Sequence, residues 1–251
     1  MKSWVLDLDG VIWRGDEPVR GSADAVAALR NAGVSVLFVT NSAVRTPADV
    51  AAKLARHGIP DAQDSVVTSA MAAATLVDAG ERVVVVGSGG LRSAVIDRGA
   101  EIVESGPADA VLVGLTHDFH YDDITRAMTA IRAGARFVAA NGDTTFPVAD
   151  GLLPGAGALS AAVATAAGVE PTVAGKPHPP VADLVRTRLG PEGIMVGDRP
   201  ETDGAFAKVL GYHFGLVLSG VTRRGDLPVE PTPDLVADDL SDLVTALLAP
   251  G

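Results

Sequence analysis

Ser3-Trp4-Val5-Leu6 runs straight into Asp7-Leu8-Asp9-Gly10, and this junction of an apolar run with two carboxylates decides how the chain is read. Three further stretches share the construction. Val34–Val39 leads to Thr40-Asn41-Ser42, Thr172–Gly175 to Lys176-Pro177, and Gly193–Val196 to Gly197-Asp198-Arg199-Pro200-Glu201-Thr202-Asp203. If each run is a buried parallel strand, all four polar motifs emerge at the carboxyl edge of one sheet, where open α/β sheets bind ligands. The pattern predicts a crevice that gathers carboxylates, a hydroxyl and a lysine. Such a set suits a magnesium ion and a phosphoryl group.

Around these junctions strand and helix patterns alternate, the signature of an α/β fold. Ser3–Leu8 reads as a strand, followed by a glycine-rich turn region from Gly10 to Gly21 and a helix capped by Ser22. Thr46-Pro47 opens a second helix. Ser65–Thr68 reads as a short strand, and Ser69–Asp78 as an alanine-rich helix. A second alternating series begins near Arg82 and runs through the Gly/Pro-rich stretch Asp150–Gly157 to the helix Ala158–Ala167. The first series resumes at Thr172–Ala174. Only 33 positions separate Asp7 from Thr40, whereas 136 separate Thr40 from Lys176. The second interval is far longer than one βαβ unit needs. The expectation is therefore a discontinuous core, residues 1–80 and 172–251, with a second α/β domain over 81–171.

Composition narrows the function classes. With 47% hydrophobic residues and few aromatics, the core must be built largely from Ala, Val and Leu. A net charge of −11 argues against a nucleic-acid polymer as partner, since such proteins present a basic face. Screening over ~8 Å mutes remote carboxylates, so an anionic substrate still sees mainly the local lysine and cation. Cys is absent, which excludes disulfides and thiolate metal sites. No apolar stretch is long enough to span a bilayer, and the first strand leaves no room for a leader, so no membrane and a cytoplasmic location are expected.

The four motifs, in this order and with this wording, resemble the haloacid dehalogenase superfamily. More narrowly, Asp-Gly-Val-Ile-Trp-Arg-Gly and Val-Gly-Asp-Arg-Pro-Glu-Thr-Asp are similar to its NagD-like phosphatases, subclass IIA. The resemblance extends from Val5 to about Leu218. It implies a Rossmann-like parallel-sheet core with a C2-type cap inserted between the second and third motifs. It also implies hydrolysis of a small phosphorylated metabolite with Mg2+ as cofactor, and capped relatives often form homodimers.

Roles follow from the same resemblance. Asp7 is the nucleophile, and Asp9 protonates the leaving oxygen and later activates water. The metal is held by Asp7, Asp198 and the main-chain carbonyl of Asp9. Lys176 balances the nucleophile's charge, and Asp203 orients Lys176. Thr40, Asn41 and Ser42 bind the phosphoryl oxygens, Gly10 lets the backbone approach them, and Asn141 and Asp143 line the substrate end beside Phe146. An unperturbed Asp is ionised at neutrality, so Asp9 is expected to need an upward pKa shift through desolvation. The motif after Thr202 departs from relatives by placing Gly204 where they often carry an apolar residue.

Other residues read more plainly. His117 and His120 are expected to be a surface loop rather than a zinc site, and Gly87-Ser88-Gly89-Gly90 a strand-to-helix turn. Arg14 and Arg199 are open to two readings, substrate guidance or ion pairing. Two alternatives to hydrolysis stand. A phosphotransferase of mutase type would carry a helical cap between the first two motifs, which 33 positions cannot hold. A silent phospho-ligand-binding protein would not need the Asp9 acid.

Overall fold

The computed structural model describes residues 3–148 and 151–248, and the chain forms two compact units. The first comprises Met1–Thr40, Val50–Val67 and Lys176–Gly251; the second comprises Asn41–Asp49 and Thr68–Gly175.

The first unit is built on a six-stranded sheet in the order β15-β14-β13-β1-β4-β5. Its strands are β1 (Ser3–Leu6), β4 (Ser35–Thr40), β5 (Val66–Thr68), β13 (Ile194–Gly197), β14 (His213–Val217) and β15 (Leu235–Ala237). The pairs from β15 through to β4 are parallel. β1 and β13 are buried along their whole length, which explains their continuous apolar runs: helices cover both faces of a parallel sheet. In chain order this is the doubly wound arrangement, whose direction of winding reverses between β1 and β13. The reversal opens a crevice at the carboxyl ends of those two strands. Helices α1 (Ser22–Asn31), α2 (Pro47–Arg56), α7 (Pro179–Leu189), α8 (Ala205–Leu210) and α9 (Leu240–Leu248) complete the unit. Its core gathers Leu6, Leu8, Ile12, Leu29, Phe38, Leu54 and Ile194. Each such side chain contributes roughly 1.5–3 kcal/mol by leaving water.

The glycine-rich turn region contains a small hairpin, β2 (Trp13–Arg14) with β3 (Glu17–Pro18). Ser22 is not the helix cap that its type suggests. Gly21 takes that position in a left-handed conformation, and Ser22 Oγ donates instead to the carbonyl of Ile12.

The second unit carries a five-stranded parallel sheet in the order β12-β9-β8-β6-β7. Its strands are β6 (Arg82–Val86), β7 (Glu101–Ile102), β8 (Ala110–Val113), β9 (Arg136–Ala139) and β12 (Thr172–Val173), with helices α3 (Ser69–Ala74), α4 (Gly89–Asp97), α5 (Tyr121–Arg132) and α6 (Ala156–Ala167). Within the Gly/Pro-rich stretch, β11 (Gly151–Pro154) pairs antiparallel with β10 (Thr145–Val148) as a hairpin. The start of that stretch, Asp150, lies outside the described residues.

One expectation is corrected. Thr172–Val173 pairs with Val138 and Ala139 of β9 and so extends the second sheet, not the first. Lys176 is thus the one motif not preceded by a strand of the six-stranded sheet. A two-residue strand carries too little pattern to say which sheet it joins. Among the described residues, no helix is long and apolar enough to cross a membrane.

Candidate active site

β1 delivers Asp7 to the crevice. Leu6 lies opposite Val196 in the ladder, and the Asp7 amide continues it by donating to the Val196 carbonyl at 2.9 Å. β13 ends at Gly197, so Asp198 leaves the sheet beside Asp7. β4 pairs Phe38 with Leu6 and ends at buried Thr40 on the far side of β1. Lys176 reaches the same place from the segment before α7. Its Nζ lies 2.8 Å from Asp7 Oδ1 and 2.7 Å from Asp203 Oδ1.

Asp203 projects from a single wide turn, Pro200–Gly204, that precedes α8. Its second oxygen accepts from the Arg199 amide at 3.1 Å. Gly197 makes this possible, because a Cβ there would come within 2.2 Å of the Asp203 carboxylate. Asp203 is completely buried, with both oxygens engaged. The backbone function of Arg199 is therefore to hold Asp203.

Asp198 is clamped by a loop to which the sequence analysis gave no role. Its Oδ2 accepts from Val221 N at 2.6 Å, and its carbonyl from Thr222 N at 3.3 Å. Gly220 and Gly10 both press against the carboxylate; a Cβ on either would overlap Asp198 Oδ2, at 1.9 and 2.3 Å. Gly10 also has φ of +80°, a region glycine enters freely. Its visible structural duty is to admit Asp198. The glycine in Ser219-Gly220 after β14 was the available signal for this loop.

Electrostatically the cluster is unbalanced. Asp7, Asp198 and Asp203 each present a carboxylate oxygen within 4.8 Å of the others, and among the described residues this is the acidic group spaced to hold a metal ion. One buried ammonium faces three buried carboxylates. Burial pushes Asp7 well above the usual carboxylate range; Lys176 opposes this, while Asp203, Asp198 and Asp9 add to it. Asp198 is pushed up to about 6, by burial first and Asp203 second, against the Val221 N–H and the positive charges of Arg199 and Lys176. Burial pulls Lys176 down, but Asp203 and Asp7 together outweigh it and keep the ammonium above its ordinary value. Fully ionised, the cluster carries a surplus of two negative charges. The donors are hard oxygens, so a divalent cation such as magnesium fits both their charge and their chemistry.

Asp9 behaves differently. It is exposed, and it accepts a hydrogen bond from Trp13 Nε1 at 3.0 Å.

Asn41, Ser42, Asn141 and Asp143 all belong to the second unit, at the carboxyl edge of its sheet. The Asn41 amide donates to Asp143 Oδ1 and Oδ2 at 3.1 and 3.3 Å. Asn141 donates to the Asn41 carbonyl at 2.6 Å, and buried Ser69 donates to it at 2.5 Å. Asn141 Oδ1 in turn accepts from Asp143 N. Asn141 and Asp143 therefore brace Asn41, a duty that their expected role in lining the substrate end did not include. Gly175 closes the group, since a Cβ there would come within 2.7 Å of Asn41 Oδ1. Nearby, His117 meets Phe146 edge-on at 6.3 Å. His120 pairs with Asp118 at the start of α5, and Arg14 is exposed on the β2–β3 hairpin.

Comparison with known proteins settles the lineage. A family model described as haloacid dehalogenase-like hydrolase matches residues 4–101, and a second, described as HAD-hydrolase-like, matches residues 173–243. The chain belongs to the haloacid dehalogenase-like hydrolase family. Members similar to it carry phosphatase names. A 5'-nucleotidase of Bacillus subtilis is 36% identical over 229 residues, covering 89% of each chain. The p-nitrophenyl phosphatase of Archaeoglobus fulgidus superposes with a TM-score of 0.93 at 30% identity, covering 98% of both chains. The glycerol phosphate phosphatase of Mycobacterium tuberculosis, solved in complex with magnesium, superposes with a TM-score of 0.88 at 37% identity, covering 96% of this chain and 76% of that one. As a dehalogenase-like hydrolase, the chain has Asp7, Asp9 and Thr40 in the first matched segment, which runs on into the second unit, and Lys176, Asp198 and Asp203 in the second.

Proposed function

We propose that the protein is a magnesium-dependent phosphatase of small phosphorylated metabolites, acting through a phospho-Asp7 intermediate in the cytoplasm. The observation that carries this reading is the buried group Asp7–Lys176–Asp203–Asp198, with its surplus negative charge at the sheet's winding reversal. The named relatives add support for phosphate monoesters: a nucleotide, an aryl phosphate and glycerol phosphate stand in their names.

The carboxylates of Asp7 and Asp198, with the main-chain carbonyl of Asp9, would hold the magnesium ion. When bound, that ion supplies charge neutralisation at the phosphoryl oxygens. The chain's own groups do the rest. Lys176, fixed by Asp203, holds Asp7 Oδ1 and contributes a second positive charge where the dianionic ester must sit. Asp7 attacks phosphorus as the bond to the leaving oxygen breaks, and Asp9 delivers a proton to that oxygen. In the second half, Asp9 takes a proton from water, the resulting hydroxide attacks phosphorus, and Asp7 is released with inorganic phosphate. Splitting the reaction this way divides one very difficult displacement into two easier ones. Thr40 supplies a hydroxyl to the phosphoryl group at the end of β4, and the amides that follow it, of Asn41 and Ser42, are assigned to the same group.

Release of inorganic phosphate from a panel of sugar phosphates, glycerol phosphate, phosphoglycolate and nucleoside monophosphates tests the assignment. Turnover with magnesium that chelator abolishes is expected. Ligand binding without turnover on every member would favour the silent binding protein.

A further inference from the structure

We infer that Trp13 is the positioning residue for Asp9, and that its indole N–H fixes the orientation in which the Asp9 carboxyl group meets the leaving oxygen. The inference rests on Asp9 being the acid–base group proposed above.

The loop that joins β1 to the hairpin is wound tightly. The carbonyl of Leu8 accepts from the amides of Val11, Ile12 and Trp13, and Gly10 N donates back to the Trp13 carbonyl at 2.7 Å. This winding lays the main chain of Asp9 against that of Trp13 as an isolated bridge. The side chains then meet, with Trp13 Nε1 3.0 Å from Asp9 Oδ1. An indole nitrogen can only donate. Oδ1 is therefore the acceptor, and the contact fixes the rotation of the carboxyl group. An exposed carboxyl with no such partner would turn freely about its bond to Cβ.

The ring itself is held. Trp13 is buried, although the carboxyl it serves is exposed. The Lys53 ammonium lies 4.3 Å from the ring centroid, at cation–π distance, and His57 packs on the indole at 5.5 Å. Lys53 is buried for a lysine and is anchored to the Gly15 carbonyl at 2.6 Å and to Asp16 at 3.5 Å. A Lys on α2 thus ties the hairpin turn to the ring. Packing of an apolar tryptophan alone would need neither this cation nor an indole edge aimed at a carboxylate.

Trp13→Phe keeps the ring and removes the N–H. Single-turnover rates of the first phosphoryl transfer should be compared for glycerol phosphate, whose alkoxide leaves only with a proton, and p-nitrophenyl phosphate, whose phenolate leaves without one. The rate for glycerol phosphate should fall about tenfold, the size of one hydrogen bond to a charged group. The p-nitrophenyl phosphate rate and both binding constants should change little. Equal losses for both substrates, or none, would overturn the inference. Asp9→Asn in the same assay separates the two levels: if it lacks the selective loss, the acid–base reading fails as well. If Asp9→Asn shows it and Trp13→Phe does not, only the inference fails. An independent readout avoids the Trp13 substitution altogether. The chain has two tryptophans, and the Trp13 indole proton resonance should shift in Asp9→Asn; an unmoved signal would contradict the contact.

Discussion

Asp198→Asn should make the metal-free protein more stable while destroying its response to magnesium. The carboxyl is held at about 6, against an ordinary value of 3.8, principally because it is buried. A difference of about 2 pH units at 1.36 kcal/mol per unit amounts to roughly 3 kcal/mol. The sign follows from proton linkage. A carboxyl whose pKa is raised on folding binds its proton more tightly in the folded state, so stability is greatest below the unfolded value near 4. It is lost as pH rises through about 6 and is constant above that. At pH 7 the ionised Asp198 is therefore a cost to the empty fold. Asparagine has the same shape, carries no charge and can still accept from Val221 N. Part of the gain is offset, since a hydrogen bond to a neutral acceptor is weaker than one to a carboxylate. A net gain of about 1–3 kcal/mol corresponds to an apparent melting point higher by several degrees for a chain of this size. Melting of wild type and variant in chelator, from pH 4 to pH 8, gives the difference directly. That difference should be near zero at pH 4 and reach its full size above pH 6. Added magnesium should raise the wild-type midpoint and leave the variant unmoved. A variant less stable than wild type at pH 7 without metal, or one still stabilised by magnesium, would refute the reasoning.

Lys176→Met should behave in the opposite way: removing the one cation leaves buried Asp7 and Asp203 uncompensated, a loss of roughly 3–5 kcal/mol in denaturant melts, with no measurable turnover. Gly10→Ala forces a Cβ into the Asp198 carboxylate and strains a backbone at φ +80°; calorimetric titration should show magnesium affinity falling at least tenfold while p-nitrophenyl phosphate turnover drops with it. Asp9→Asn should retain magnesium-induced stabilisation, because its side chain stands outside the acidic group, yet lose ~10²–10⁴-fold in turnover of alkyl phosphates.

The parts of this site legible in the sequence are those that long buried strands impose. Ser3–Leu6 and Ile194–Gly197 are covered on both faces, so each is an unbroken apolar run whose first polar residues, Asp7 and Asp198, mark the sheet's carboxyl edge. Lys176 was legible as a residue but not by its strand: Thr172–Val173 joins the second sheet, and two residues cannot announce a partner. Asn141 and Asp143 were visible as polar positions in the family's pattern. That their hydrogen bonds are spent on Asn41, 100 and 102 residues away, is set by tertiary packing alone. The same holds for the Ser219–Val221 loop around Asp198, where only the glycine hinted at close approach. Trp13 was legible only as part of the stretch Asp-Gly-Val-Ile-Trp-Arg-Gly. It is core, and its one polar atom finds Asp9 because three amides wind onto a single carbonyl.

The central claim is that Asp7 carries the phosphoryl group during turnover. A single turnover of enzyme with substrate labelled in its phosphoryl group, quenched in acid and digested, tests it most directly. The label is expected on the peptide containing Asp7 and is expected to vanish in Asp7→Asn, which should keep its fold and lose turnover. Label on any other residue, or full turnover by Asp7→Asn, would contradict the account.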